Sequence, residues 1–279
     1  VFLLTDFGAT DEFAGVVRAV VLREAPGCPV VDLTHEIPPF DVRAGALALE
    51  RAVPHLGPGV VVAVVDPEVG TDRRAVAVEV ASSEGPRFLV GPDNGIIGFA
   101  MDLLGGVTGA VALSPATARP ATGATFDGRD VFAPVAARLW AGRDLEDVGV
   151  PIDAGTLRRL EVPKLEVREG EIRAEVLWVD RFGNVQLAAR PSDAEASGLA
   201  SELVVESGHV RVPARPSTSF AGDLAAAVMA ETAAAEVLRL IVDSNGRLVL
   251  VRRQDSAAAV LRASAGDMIS VRNGEAARR

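Results

Sequence analysis

The sequence predicts an α/β protein in two parts: a larger one built on a mainly parallel sheet, and a smaller antiparallel β domain after it. Three observations predict this. Up to about Arg159, strand-like apolar runs alternate with Ala-rich helical segments, the pattern of a parallel sheet covered on both faces. Val60–Val65 is apolar throughout rather than alternating, as a strand flanked by helices on both sides should be. Near Leu160 the texture changes to period-two alternation with short polar turns, which marks hairpins. The boundary is expected at about residues 160–165, giving domains of 1–162 and 163–279.

Taken in order, Phe2–Leu4 reads as a strand and Glu12–Glu24 as a helix, with Thr10 or Asp11 placed to cap it. Val30–Leu33 reads as the next strand, and Val42–Val53 as a helix with Ala and Leu on one face. After the strand Val60–Val65 come two more, Ala75–Val80 and Arg87–Val90, joined by the turn SSEGP. Val131–Ala141 reads as a helix. Beyond the boundary, EVPKLEVREGEIRAEVLWVD suggests a hairpin turning at Glu169–Glu171, and WVDRFGNVQ a strand, a bend and a strand. Glu202–Glu206, His209–Val212, Arg247–Arg252 and Met268–Val271 are short strands, and Ile241–Arg253 is a hairpin turning at Ser244-Asn245-Gly246. Leu224–Ala230 is the only helix expected to interrupt them.

Composition narrows the function. At 279 residues, with 49% hydrophobic and 24% charged residues, the chain is globular and buries an ample core. A formal charge of −10 argues against duplex nucleic acid, because nothing offers a basic stripe to phosphates. It does not argue against a small cationic ligand. Cys28 is the single cysteine, which rules out an internal disulfide and a thiolate zinc site and suggests a reducing, cytoplasmic setting. No run approaches the ~20 apolar residues of a membrane span, and VFLLTDFG carries no basic residue ahead of its apolar ones, so neither a span nor a signal peptide is expected. Tyrosine is absent.

Four polar clusters interrupt apolar surroundings in the first part. In VVVAVVDPEVGTDRR a buried strand ends in Asp66, fixed by Pro67, and Arg73 returns after a Gly turn. Ligands of open α/β sheets bind beyond such strand ends; the plain alternative is a turn-capping Asp and a solvated Arg. In TDFGATDEF, Asp6 sits at a strand tip with Asp11 close by, which suits ribose hydroxyls or an ammonium group. No GxGxxG or GK[ST] phosphate loop is present there. GPDNG, Gly91–Gly95, has the residues of a tight turn. In TFDGRDVFAP polar groups precede a helix, where Asp130 or Thr125 can cap it and Arg129 can pair with a neighbouring acid. In the second part, Phe182 and Asn184 suit stacking on and hydrogen bonding to a base, although a hairpin turn explains them as well. His35, beside Glu36 and two prolines, reads as structural. No His/Asp/Glu set has metal-ligand spacing, and no GxSxG or Cys–His arrangement supports an acyl-transfer triad.

Together, TDFG near the start, DLTHEIPPFD, VVDPEVGTDRR, GPDNGIIG, TFDGRDVFAP and DRFGN resemble one family. It is the S-adenosylmethionine (SAM) hydroxide adenosyltransferases, adenosine-forming SAM hydrolases related to the SAM-dependent fluorinase and chlorinase. The resemblance runs in order along nearly the whole chain. It implies an N-terminal Rossmann-like domain and a C-terminal antiparallel β-barrel. It also implies a homotrimer, with SAM bound between one subunit's N-terminal domain and its neighbour's C-terminal domain. On the same grounds Asp6 holds the ribose hydroxyls, Asp11 and Asp180 face the cationic methionine end, and Phe182 and Asn184 hold adenine. Ser244 and Asn245 lie near the ligand's polar ends, and Asn94, Phe126 and Gly128 complete the substrate-binding set. Asp66 and Arg73 are the catalytic pair that orients and activates water, with Asp127 beside them. The implied reaction is attack of water at C5′, giving adenosine and methionine with no cofactor or metal, and no nucleic acid or membrane partner.

Two residues depart from patterns in the family. The halogenating relatives resemble one another in carrying a neutral Tyr at the Asp66 position, so a carboxylate here implies rejection of halide. The hydrolases usually read FHGRD, whereas this chain reads FDGRD, with Asp127 in the place of the His. Asp127 can preserve the orientation of Arg73, or serve as a second acceptor for the water. It can equally compete for Arg73 and raise the cost of forming hydroxide. The last possibility leaves a second reading open, a slow or inactive SAM or adenosine binder. A third is an ordinary nucleoside-binding α/β protein.

Overall fold

A computed structural model describes residues 1–114, 125–219 and 237–274, and the chain divides into two units, Val1–Glu161 and Val162–Arg279. The helix expected over Leu224–Ala230 lies outside the described residues.

The first unit holds a seven-stranded sheet. Its strands are β1 (Phe2–Thr5), β2 (Val31–Thr34), β3 (Gly59–Val64), β4 (Ala75–Val80), β5 (Arg87–Pro92), β6 (Val107–Leu113) and β7 (Gly149–Pro151). They run in the order β2-β1-β3-β5-β4-β6-β7. The half β2-β1-β3-β5 is parallel, as the strand–helix alternation predicts. From β5 outward the pairs β5–β4, β4–β6 and β6–β7 are antiparallel, so the sheet is mixed. The cause is the short SSEGP link between β4 and β5, since a crossover needs a dozen residues or more.

Helices cover both faces. On one side α1 (Phe13–Glu24) and α4 (Ala133–Trp140) bury Val17, Val21, Val135 and Leu139 against Leu3, Val62, Val64 and Val90. The alternate residues Val61, Ala63 and Val65 are just as buried. Val65 meets α2 (Val42–Ala52), where a Cβ on Gly45 would lie 3.1 Å from it. That double burial is why β3 is apolar throughout. Asp41 caps α2 by accepting from the Ala44 N–H at 2.8 Å. Neither Thr10 nor Asp11 caps α1, whose first turn carries no side-chain cap. The expected helix near Val131 begins instead as a π-helical turn, Gly128–Phe132, and Asp130 lies inside that turn rather than capping it. The short helix α3 (Gly98–Leu103) and the strands β6 and β7 were not expected from the sequence.

The second unit is a closed barrel. Its ring is β9 (Glu171–Val179), β10 (Val185–Leu187), β14 (Leu248–Val251), β13 (Leu238–Val242), β12 (Val210–Pro216), β11 (Leu203–Ser207) and β15 (Met268–Asn273), which returns to β9. β8 (Leu165–Arg168) pairs with β9 outside the ring, in the hairpin the sequence predicts. Every pair is antiparallel except β12–β13. Alternate residues such as Ile172, Ala174 and Val176, Leu238 and Leu240, and Leu248 and Leu250 fill the core. Two short helices, Pro191–Ser197 and Ala257–Leu261, also interrupt the strands. Each is too brief to show a helical period in sequence; the first starts on a proline, and Ser256 caps the second at 3.0 Å.

Candidate active site

The end of β3 is where the first unit gathers its charge. β3 runs buried to Val65, and the chain then turns through Asp66 and Pro67 and comes back as β4. Gly91 of β5 permits the close packing, since a Cβ there would lie 2.3 Å from the Ala63 carbonyl oxygen. Asn94 braces the same corner. Its Nδ2 donates to the Val65 carbonyl at 2.8 Å and its Oδ1 accepts from the Ile96 N–H at 3.2 Å, so its amide is engaged within the fold.

Arg73 folds back onto Asp66. Its Nε donates to Asp66 Oδ1 and Oδ2 at 3.1 and 3.0 Å, and its Nη2 to Oδ2 at 2.5 Å. The same Nη2 also donates to Asp127 Oδ2. Asp66 and Arg73 side chains are 5% and 3% exposed, and Asp127 is 22% exposed. Two carboxylates on one guanidinium leave one negative charge in excess. Burial by itself lowers the Arg73 pKa, but the hydrogen bonds and charges of Asp66 and then Asp127 outweigh it and hold the pKa above its ordinary value. The Phe132 ring, fully buried, lies with its centroid 5.5 Å from the guanidinium carbon.

Aromatic rings border Asp127. Phe7, Phe13 and Phe126 meet edge to face with centroids 5.2–6.2 Å apart. Gly128 lets this happen, because a Cβ there would lie 3.0 Å from Phe7 Cζ. Arg129 pairs with Asp130 through two hydrogen bonds of 2.8 and 2.7 Å, the acid pairing expected of it, and lies over Phe126 at 5.1 Å. At the tip of β1, Asp6 Oδ2 accepts the Phe40 N–H at 2.9 Å. Asp11 is exposed. His35 is structural, as read: Nδ1 lies 2.8 Å from the buried Thr5 hydroxyl, and its carbonyl accepts the Gly8 N–H at 2.7 Å.

In the second unit the bend after β9 is organised by one carboxylate. Asp180 Oδ1 accepts the Phe182 and Asn184 N–H groups, each at 2.9 Å, and Oδ2 accepts Asn184 Nδ2 at 2.8 Å. The Phe182 ring is left 72% exposed. These three residues line a cavity of about 890 Å³ together with the segment Arg252–Ser256. Ser244 and Asn245 form the β13–β14 turn, held by Asp243, and are not among the residues lining that cavity.

Sequence reasoning missed Phe40 and the Arg252–Ser256 segment. Phe40 is 71% exposed, with φ +67°, and its backbone N–H is tied to Asp6. The signal was an aromatic residue held by two prolines in HEIPPFD. The signal for the other was the polar run RRQDS straight after the apolar strand β14. Among the described residues no group of His, Cys, Asp or Glu is arranged to hold a metal ion, and no helix is long and apolar enough to cross a membrane.

Comparison with known proteins bears on this arrangement. Residues 1–149 match the model of the SAM hydroxide adenosyltransferase N-terminal domain, and residues 174–270 that of the C-terminal domain. The chain is 42% identical over 271 residues to a Salinispora tropica protein named (R)-S-adenosyl-L-methionine hydrolase, covering 97% of this chain and 96% of that one. It is 50% identical over 186 residues to a Salinispora arenicola protein of the same name, covering 66% of this chain and 70% of that one. A crystal structure of an uncharacterized conserved protein from Thermotoga maritima superposes with a TM-score of 0.85 at 30% identity, covering 98% of this chain and 99% of the other.

Proposed function

We propose the reaction of this chain from one premise: it belongs to the SAM hydroxide adenosyltransferase family. The reaction is hydrolysis of S-adenosyl-L-methionine at C5′, giving adenosine and L-methionine. The observation that carries it is the buried Asp66–Arg73 pair at the end of β3, joined by Asp127, with one negative charge in excess. That excess suits a sulfonium cation. The relatives' name specifies the (R) form, and we extend that preference to this chain.

The chemistry asks little of a cofactor. The sulfonium makes C5′ electrophilic and departs as a neutral thioether, so the barrier lies in preparing and aligning water. Arg73, fixed at three N–H···O contacts to Asp66, orients the nucleophile and stabilises its developing hydroxide character. The carboxylates repel halide, and no tyrosine is present to replace Asp66. Hydrolysis, not halogenation, follows. No cofactor or metal enters this scheme.

For binding, we assign Asp6 to the ribose hydroxyls, with Phe40 beside it. Asp11 and Asp180 face the methionine end, Phe126 and Gly128 border the nucleophile, and Phe182 and Asn184 take adenine. The exposed Phe182 ring over an 890 Å³ cavity supports the last assignment. Asn94 acts by bracing the Asp66 corner, and Ser244 and Asn245 contribute at the ligand's polar ends. We further propose a homotrimer in which the first unit of one subunit and the second unit of its neighbour complete each site, and a cytoplasmic setting in keeping with the lone Cys28. A trimer mass in solution, and recovered activity on mixing Asp66→Asn with Phe182→Ala subunits, test the assembly.

The reaction is tested by incubating purified protein with each SAM epimer in heavy-oxygen water at low and high chloride. Adenosine carrying the heavy oxygen, with methionine, is the expected product at both. Bound but unconverted SAM supports the binder reading instead, and a chlorinated nucleoside overturns the charge argument.

A further inference from the structure

Asp66 and Asp127 share one arginine unequally. Both Asp66 oxygens accept from the guanidinium, and the side chain is almost wholly enclosed. Asp127 is bound through Oδ2 alone, by Nη2. Its Oδ1 accepts no hydrogen bond from any described residue, and a fifth of the side chain remains accessible. We propose that Asp127 takes the proton from the attacking water, and that Asp66 serves as the anchor that positions Arg73. This assignment rests on the SAM-hydrolysis reading above.

The asymmetry decides what protonation costs at each acid. A proton on Asp66 would turn an acceptor oxygen of a 5% exposed side chain into an O–H facing guanidinium N–H donors. A proton on Asp127 Oδ1 leaves the Oδ2 bond to Nη2 intact. The partly accessible Asp127 side chain also gives that proton a route to solvent, which the enclosed Asp66 does not. In the step itself, the water oxygen bonds to C5′ while the C5′–S bond breaks. The bonding pair goes to sulfur, which departs as the thioether of methionine. The water proton moves to Asp127 Oδ1 and from there to bulk water. A carboxylate is a weak base for free water, so the transfer is concerted with attack.

The test is the pH dependence of adenosine release by the full chain, for the wild type, Asp127→Asn and Asp127→His, with SAM binding measured alongside. The Asn amide oxygen can still accept from Arg73 Nη2, so a purely positioning role survives that change. We expect Asp127→Asn to lose roughly 100-fold or more in kcat, to keep its SAM affinity within a few-fold, and to lose the acid limb of the wild-type profile. We expect Asp127→His to restore much of the rate, with its acid limb moved toward the imidazole value of about 6.5. If Asp127→Asn keeps the wild-type rate or its acid limb, or if the limb does not move in Asp127→His, Asp127 is not the acceptor. A wild-type chain that binds SAM and releases no adenosine overturns the hydrolase reading, and this assignment with it.

Discussion

Arg73 and Arg74 are neighbours in the chain and take different carboxylates. Arg73 takes Asp66 and Asp127, while Arg74 donates from Nε and Nη2 to Asp93 Oδ2 at 2.8 and 2.5 Å. Arg74 also reaches the Thr156 carbonyl at 2.6 Å and the Thr156 hydroxyl at 3.1 Å. Asp93 is 4% exposed and accepts the Arg158 N–H on its other oxygen at 2.8 Å. One arginine is placed for chemistry, and the other pins the loop that carries it.

Removing the pin should show in stability first. Arg74→Met leaves Asp93 buried without its counter-charge and is expected to cost about 2–3 kcal/mol, near the low end for a broken buried pair because Arg74 is itself partly exposed. Arg74→Lys should recover only part of this, since a point charge cannot serve Asp93 and Thr156 as a fork does. Denaturant unfolding measures both, and equal stabilities for wild type and Met would remove the network from the account.

Gly183 is the sharpest steric constraint in the second unit. It has φ +80°, and a Cβ would lie 2.1 Å from Ser256 Oγ and 2.5 Å from Ser256 Cβ. Gly183→Ala combines left-handed strain of about 1–2 kcal/mol with overlap of about 1–3 kcal/mol. It should therefore lower the melting temperature and weaken adenosine binding together. Calorimetry on the same sample reads both, and a wild-type melting temperature would show that Ser256 moves freely.

Phe182 should behave in the opposite way. Its ring is largely exposed, so Phe182→Ala is expected to leave stability within about 0.5 kcal/mol. Loss of base stacking should weaken adenosine binding by about 1–3 kcal/mol. Titration calorimetry with adenosine checks the second number, and unchanged affinity would take Phe182 out of the adenine site.

One pH dependence follows from the barrel. Hydrogen bonding from Arg272 on β15 holds the Glu206 carboxyl on β11 below its usual range, against a smaller effect of desolvation, with the charges of Arg272 and Arg211 adding to it. A depressed folded-state value means the contribution is complete above the unfolded-state value of about 4.3. It is lost as pH falls from there through the folded value. Both side chains are partly exposed, so the effect is a few tenths of a kcal/mol, ~0.5 at most. Glu206→Gln should lower stability at neutral pH by that amount and converge with wild type in acid, which denaturant unfolding at about pH 7 and about pH 3 checks.

Much of this was legible in the sequence, for reasons that can be named. β3 announced itself because burial on both faces makes a strand apolar throughout, and Asp66 stood out by ending it. The barrel showed in its alternation, since each strand keeps one face inside. What stayed hidden depends on contacts between distant residues. Val107–Leu113 carries Gly and Thr among its valines, and its pairing with β4 decides its state. Gly98–Leu103 is under two turns long, too short to show a period. Asn94 looked like a ligand contact in a turn, yet its amide is engaged by Val65 and Ile96, which only the fold brings within reach. Phe40 is exposed and has a positive φ, a backbone state that its residue type does not advertise.

The unneutralised charge at Arg73 has a consequence for what happens after the bond is cut. The substrate enters as a cation and is drawn to a cluster with more carboxylate than guanidinium. The positive charge then departs as a proton, and adenosine and the thioether no longer carry it. The cluster holds what it consumes more strongly than what it makes. Product inhibition at this end of the site is therefore expected to be weak, with adenosine inhibiting initial rates only well above the SAM concentrations that saturate them.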